Sequence, residues 1–199
     1  MSKRFAMVVS SLILSAGVAL ADTYQIDPAH TTVGFSIKHM VINNVHGRFA
    51  DFKGTVEYDG KDVASVKASG TIEAKSVDTG IKQRDDHLRS PDFFDVAKYP
   101  EISFSGQKVQ KQGDRYVLVG KFTMHGVTKD VSLPVTVNGP IVDPYGKSRI
   151  GIEIITTLNR QDYGINWSKT LDNGGLVVGD DVKIEISAEA VKQVPEARK

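Results

Sequence analysis

From Val66 to Lys75 the chain alternates almost without error, with Val66, Ala68, Gly70, Ile72 and Ala74 on one face and Lys67, Ser69, Thr71, Glu73 and Lys75 on the other. Successive strand side chains point to opposite faces, so this period of two predicts a strand with one wet and one enclosed face. The same period recurs at Val33, Phe35, Ile37; at Ile102, Phe104, Gly106; at Leu118, Gly120, Phe122, Met124; and from Val127 to Val137. It returns at Ile150, Ile152, Ile154, Thr156, Leu158 and at Val182, Ile184, Ile186, Ala188, Ala190. Adding Gly47 to Tyr58 gives about eight strands. The turn signals between them are Asp59-Gly60, Gln112-Gly113-Asp114, His125-Gly126, Asn138-Gly139-Pro140 and Tyr145-Gly146, the spacing of hairpins in a meander. Alternation in nearly every strand favours an antiparallel sheet curled on itself, or two packed sheets, over a parallel α/β core, and Pro134 marks a bulge or an edge.

One region breaks the period. Val77 to Pro100 suits a short helix near Lys82 to Leu88, then a second helical turn with Ser90 as its N-cap and Pro91 at its first position. The expected fold is therefore all-β, about eight antiparallel strands with a short helical segment near residues 80–95.

The N-terminus carries Lys3 and Arg4, an apolar run from Phe5 to Leu20 and the small-residue ending Ala19, Leu20, Ala21, the pattern of a cleaved secretory signal peptide. We expect residues 1–21 to be removed and 22–199 to form one domain in the periplasm. Loss of Lys3 and Arg4 leaves 23 basic against 24 acidic residues, a formal charge of −1, which offers no bulk attraction for nucleic acid or anionic lipid. Stable membrane insertion is not expected. Cysteine is absent, which excludes disulfides, thiolate metal sites and thiol chemistry.

An eight-stranded barrel is just wide enough to be filled by its own side chains or to hold one small ligand. The inward faces are rich in small residues, Ala68, Gly70, Ala74, Gly106, Gly120, Ala188 and Ala190, which either leave room for a guest or mark bends and close packing. A cavity would be walled by Val33, Phe35, Ile37, Phe49, Phe52, Phe104, Leu118, Phe122, Ile152, Ile154, Leu158, Ile184 and Ile186, with Trp167 capping one end of the interior. Such a wall offers carbon and no charge, so its guest should be apolar.

Two polar clusters interrupt the alternation. Arg84 to Arg89 reads either as a solvated helix face or as a rim where Arg84 or His87 receives a ligand head group. Asn159 to Trp167 is a loop between two strong strands that holds the only tryptophan. The five histidines fall in no ligand-spaced motif, so no metal is expected. There is no nucleophile elbow, phosphate-cradling loop or dinucleotide fingerprint. An acid–base pair of His87 with Asp85 or Asp86 is the competing enzymatic reading.

The segments DPAHTTVGFSIKH (27–39), RDDHLRSPDFFDVAKYP (84–100), TMHGVTKDV (123–131), NRQDYGINW (159–167) and GDDVKIEISAEAV (179–191) resemble the YceI family of periplasmic, lipocalin-like proteins. The resemblance implies an extended eight-stranded antiparallel lipocalin-like barrel with a helical segment, enclosing a polyisoprenoid or similar long-chain lipid, such as a quinone or prenyl phosphate, as ligand, with no cofactor and no catalysis. It places Arg84, His87, Asn159, Arg160 and Asp162 at a head-group or mouth position. The alternatives are a filled barrel serving interaction or stress response, and an enzyme acting on such a lipid. Exposed strand edges make a homodimer plausible.

Overall fold

The computed structural model describes residues 21–171 and 174–194; the expected signal peptide lies almost wholly outside the described residues. Eleven strand segments form one antiparallel sheet, and three kinks reduce them to eight legs of a meander. The first leg is β1 (Asp22–Ile26) and β2 (Thr32–His39), broken by a 3-10 turn at Pro28–His30 whose N-cap, the Asp27 carboxylate, accepts from the Ala29 N–H at 3.1 Å. The second is β3 (Asn43–Phe49) and β4 (Phe52–Tyr58), and the third is β5 (Lys67–Glu73) and the short β6 (Val77–Asp78). Helix α1 (Lys82–Arg89) follows, then β7 (Glu101–Gln112), β8 (Arg115–Met124), β9 (Val127–Val142), β10 (Ser148–Asn159) and β11 (Val178–Lys192). Every pairing joins legs adjacent in sequence, except the one that closes the ring. There β11 pairs with β2 from Val178↔His39 to Ser187↔Thr32 and with β1 from Ile26↔Ala190 to Tyr24↔Lys192. The barrel is thus an up-and-down meander of eight antiparallel legs, one of the two architectures that the alternation favours.

The kinks leave the two ends different. At the base, Tyr24, Val56, Tyr58, Val66, Leu118, Ile150 and Ala190 are buried together. At the other end Val33, Phe49, Ala74, Val77 and Ile102 form a second cluster, against which Leu88 of α1 and Phe94 and Val96 of the following segment pack. Here the sheet is incomplete. The β9–β10 ladder runs only from Val142↔Ser148 to Val135↔Ile154, ending one residue short of Pro134, which has no N–H to give. A 3-10 turn, Arg160–Tyr163, covers this splayed corner. Tyr163 packs edge-on to Phe122 with centroids 5.5 Å apart, and its carbonyl accepts from His125 Nδ1 at 3.0 Å.

Two local expectations need correction, and a third divides between its alternatives. Asn138-Gly139-Pro140 is not a hairpin turn: β9 runs through it with a bulge opposite Arg149 and Gly151, and the chain reverses at Asp143–Lys147, where the Asp143 carboxylate accepts from the Tyr145 and Lys147 N–H groups. Ser90 and Pro91 open turns rather than a second helix. Ser90 Oγ does accept from the Asp92 N–H at 3.3 Å, but Asp95 adopts φ 46° and Phe93 and Phe94 turn inward, so burial of two rings overrides helical continuation. The small residues divide between their two readings. Gly106 and Gly120 face each other across β7 and β8, where a Cβ on Gly120 would stand 2.3 Å from the Ser105 carbonyl oxygen, so they serve close backbone approach. Ala68, Gly70 and Ala188 border open space instead.

Candidate functional site: an apolar cavity along the barrel axis

The inward faces of the eight legs enclose two chambers. The one toward the base has a volume of about 160 Å³ and is walled by residues such as Phe52, Val56, Ala68, Phe104, Leu118, Ile152 and Ile154. The one toward the mouth has about 280 Å³ and is walled by Phe35, Ile37, Val45, Phe49, Leu88, Phe93, Phe94, Met124, Ile165 and Trp167 among others. Val33, Ile72, Ile102, Phe122, Leu158, Ile184 and Ile186 border both, so the chambers are adjacent along the barrel and share one wall of side chains. A single water needs roughly 10–15 Å³ measured this way. Each chamber exceeds that about tenfold or more, and their walls are almost entirely carbon, which makes water a poor occupant. Every residue placed on a cavity wall by the alternation, from Val33 to Ile186, and Trp167 as well, borders one chamber or both.

Arginine and histidine border only the mouth chamber, and α1 supplies two of these residues, Arg84 and His87. Its start is fixed by Asp85, which is buried and accepts from the Thr79 N–H at 2.9 Å and from Thr79 Oγ1 at 2.5 Å. Thr79 in turn accepts from Arg84, Nε to its hydroxyl at 2.7 Å and Nη2 to its carbonyl at 2.8 Å. Arg84 is thereby held against the chamber by two of its three nitrogens, and Nη1 has no hydrogen-bond partner among the described residues. Lower on the helix, His87 stands edge-on to Phe93 and to Trp167, with centroids 5.0 and 5.2 Å away, and its Nε2 bonds Asp92 at 2.8 Å. The carboxylate beside His87 is therefore Asp92. Asp85 is committed to Thr79, and Asp86 pairs with Lys82 and Arg89, which removes both from the acid–base role considered above.

The second polar cluster behaves differently from its mouth assignment. Arg160 does border the chamber but is 2% exposed and tied into the protein, Nε to Gly179 O at 2.8 Å, Nη1 to Ile165 O at 2.7 Å and Nη2 to Asp180 at 2.8 Å. Burial pulls its guanidinium below the usual range, with Asp180 working against that. It clamps the bulge of β11 and the loop carrying Trp167. Asn159 and Asp162 are not on the cavity wall. The Asn159 side chain caps the 3-10 turn and donates to Asp181, and Asp162 pairs with Lys129 at 3.0 Å. Sequence reasoning missed Phe93, Phe94, Leu88 and Met124 as wall residues. The FF pair inside an aperiodic, charged stretch was the available signal, and a test built on period two does not register it. Among the described residues no cluster of His, Asp or Glu is placed to hold a metal, and no helix is long and apolar enough to cross a membrane.

A closed meander with an apolar interior and a polar rim defines the class, a lipocalin-like barrel. The chain belongs to the YceI-like domain family, whose match extends over residues 24–190. Protein YceI of Escherichia coli O157:H7 is 40% identical over 189 residues, covering 94% of this chain and 96% of that protein. Among solved structures, the Campylobacter jejuni YCEI protein superposes with a TM-score of 0.68 at 33% identity, covering 84% of this chain and 96% of the other. Burkholderia cenocepacia BcnA gives 0.71 at 25% identity, over 82% of this chain and 98% of the other. A polyisoprenoid binding domain from Saccharophagus degradans shares the fold at 17% identity, with a TM-score of 0.65 over 85% of this chain and 98% of that one.

Proposed function

We propose that the protein binds a long isoprenoid-type lipid, polyprenyl or quinone in kind, inside the barrel and carries or stores it in the periplasm without altering it. The observation that carries this reading is the shape and chemistry of the space: two adjacent chambers lined by carbon, with Arg84 and His87 at one end only. A guest of matching form has a long apolar body and a single polar end. Each methylene moved from water into such a wall contributes about 0.8 kcal/mol, so ten of them give about 8 kcal/mol before the cost of immobilising a flexible chain. Tail length then governs affinity, and the free Nη1 of Arg84 supplies one charge-assisted bond to an oxygen of the head group. The likeness in fold to a polyisoprenoid binding domain supports the same class of guest. Export through a cleaved leader is consistent with the basic, apolar, small-residue order of residues 1–21.

The test is solvent extraction of the purified protein followed by titration with isoprenoids of increasing length. The reading expects a co-purified or readily loaded lipid whose affinity climbs with tail length. A protein that yields no lipid and takes up none added would overturn it. Conversion of the added lipid, lost in His87→Ala, would favour an enzyme instead.

A further inference from the structure

We infer that the tip of the β2–β3 hairpin is a membrane-contact element that sets the cavity mouth against an anionic phospholipid surface. This inference rests on the lipid-binding reading above.

Met40, Val41 and Ile42, at 42, 62 and 84% exposure, form an unbroken aliphatic tip. Three consecutive exposed apolar side chains at a hairpin end are unlike the scattered exposed hydrophobics of an ordinary surface. The backbone there is strained as well. Met40 and Val41 take φ 52° and 66°, a region that a β-branched residue avoids and that Asn or Gly would occupy freely. The tip is thus made of residues poorly suited to the turn and well suited to an apolar environment.

The charge around the tip selects the occupant. From Thr32 to Ala50 there is no carboxylate, in a chain that has 24 acidic residues, while Lys38, His39, His46 and Arg48 all fall in that stretch; Asp180 and Asp181, in the β11 bulge beside Lys38, are engaged by Arg160 and by the Asn159 amide. Arg48 is paired with Asp78, but Lys38, exposed at the base of the tip, has no ion-pair partner among the described residues. Aliphatic groups beside an unpaired lysine match a bilayer whose boundary is apolar below and anionic above. Continuity with the cavity gives the contact a use. Ile37, Lys38, His39 and Val45, on either side of the tip, border the mouth chamber, so a hairpin resting in the headgroup layer shortens the aqueous step for a lipid moving between bilayer and barrel. The other exposed aliphatic pair, Ile141 and Val142, lies at the base, where the interior is closed and Asp143, Asp27 and Glu189 gather around Arg149. It supplies an internal control.

The experiment is flotation of the mature protein with vesicles of phosphatidylethanolamine and phosphatidylglycerol, compared with phosphatidylcholine alone, alongside loading from detergent-dispersed isoprenoid and size-exclusion chromatography with light scattering. The parent should associate with the anionic vesicles, and less so as salt rises. A V41N/I42S double variant, which relieves the strained turn, should keep or raise its melting temperature, load isoprenoid from detergent as before, and associate with vesicles at least about tenfold more weakly. Ile141→Ser/Val142→Ser should float like the parent. A parent that loads from detergent yet ignores vesicles overturns the membrane contact and leaves the binding reading standing. Failure to load at all removes both. Equal flotation of parent and V41N/I42S overturns the contact, and so does a parent dimer that V41N/I42S turns into monomer with no vesicle association, which would assign the tip to a second copy of the chain.

Discussion

At the base of the barrel Tyr24, Tyr58, Val66, Ile150 and Ala190 are each no more than 3% exposed and close the interior, whereas at the mouth Phe35, Phe94 and Trp167 are half-buried around open space. The base is made mostly by ladder pairing, with β11 hydrogen-bonded to β1 and β10 and β1 to β4 and a 3-10 turn at Val63–Ser65 setting Val66 into it, and is pinned by Arg149, which reaches Asp143 at 2.7 Å, Asp27 at 2.9 Å and Glu189 at 3.1 Å. The mouth is closed by segments with few ladder bonds, α1, the FF turn and the loop bearing Trp167. Close packing is what a core needs for stability, and free volume is what a guest needs. One barrel holds both because its legs are paired continuously at one end and splayed at the other. Segments with little ladder pairing open locally at lower cost, which under the proposed function suits the mouth to ligand passage.

If that division is right, substitutions at the two ends should separate stability from binding. Ile150→Ala, at a fully buried position off the cavity wall, should cost about 2–5 kcal/mol in urea unfolding. Gly120→Ala, which forces a Cβ toward the Ser105 carbonyl and the Gly106 backbone, should cost about 1–3 kcal/mol or more by the same measurement. In contrast, Ala68→Phe projects a ring into the base chamber, which has room for it. It should change unfolding free energy by less than about 1.5 kcal/mol, while weakening uptake of long isoprenoids more than short ones. A cavity variant as unstable as Ile150→Ala would merge the two ends into one continuous core.

Acid sharpens the comparison at the base. Asp27 is held down to about 2, chiefly by the hydrogen bond from Arg149 and then by that with His30. Its carboxyl in the unfolded chain has the ordinary value near 3.9. A depressed folded value means that ionised Asp27 stabilises the fold above about 4, and that this contribution fades as the pH falls toward about 2. The stability advantage of the parent over Asp27→Asn, followed by denaturant titration, should be present at neutral pH and vanish in strong acid. At the surface of the splayed corner, Asp162→Ala breaks an exposed pair with Lys129 and should move stability by about 0–1 kcal/mol only.

The same division separates what was legible in the sequence from what was not. Strand faces are read from a period of two, so the wall positions from Val33 to Ile186 could be assigned before any coordinate was known. The kinks at Ala50-Asp51 and at the 3-10 turn Ala74–Ser76 shift the inward face by one position, from Phe49 to Phe52 and from Ala74 to Val77, so a period of two shows each leg only in part and not its division into segments. Phe93 and Phe94 escaped because their inward turn depends on Asp95 at φ 46°, a tertiary choice that no periodicity records. Arg160, on a loop in the sequence, is assigned to the mouth by resemblance. Only the return of β11 brings Gly179 and Asp180 to it, across about twenty residues of chain, and makes it a buried clamp. Asn138-Gly139-Pro140 has the composition of a turn, but its neighbours on β10 continue the ladder past it.

Mass spectrometry of the folded protein under native conditions, then denatured and extracted with solvent, tests the central claim most directly. A cavity of this form predicts a mass excess that disappears on denaturation and reappears in the extract as an isoprenoid. A folded protein at its bare chain mass that also stays bare after incubation with polyprenyl and quinone lipids would contradict it.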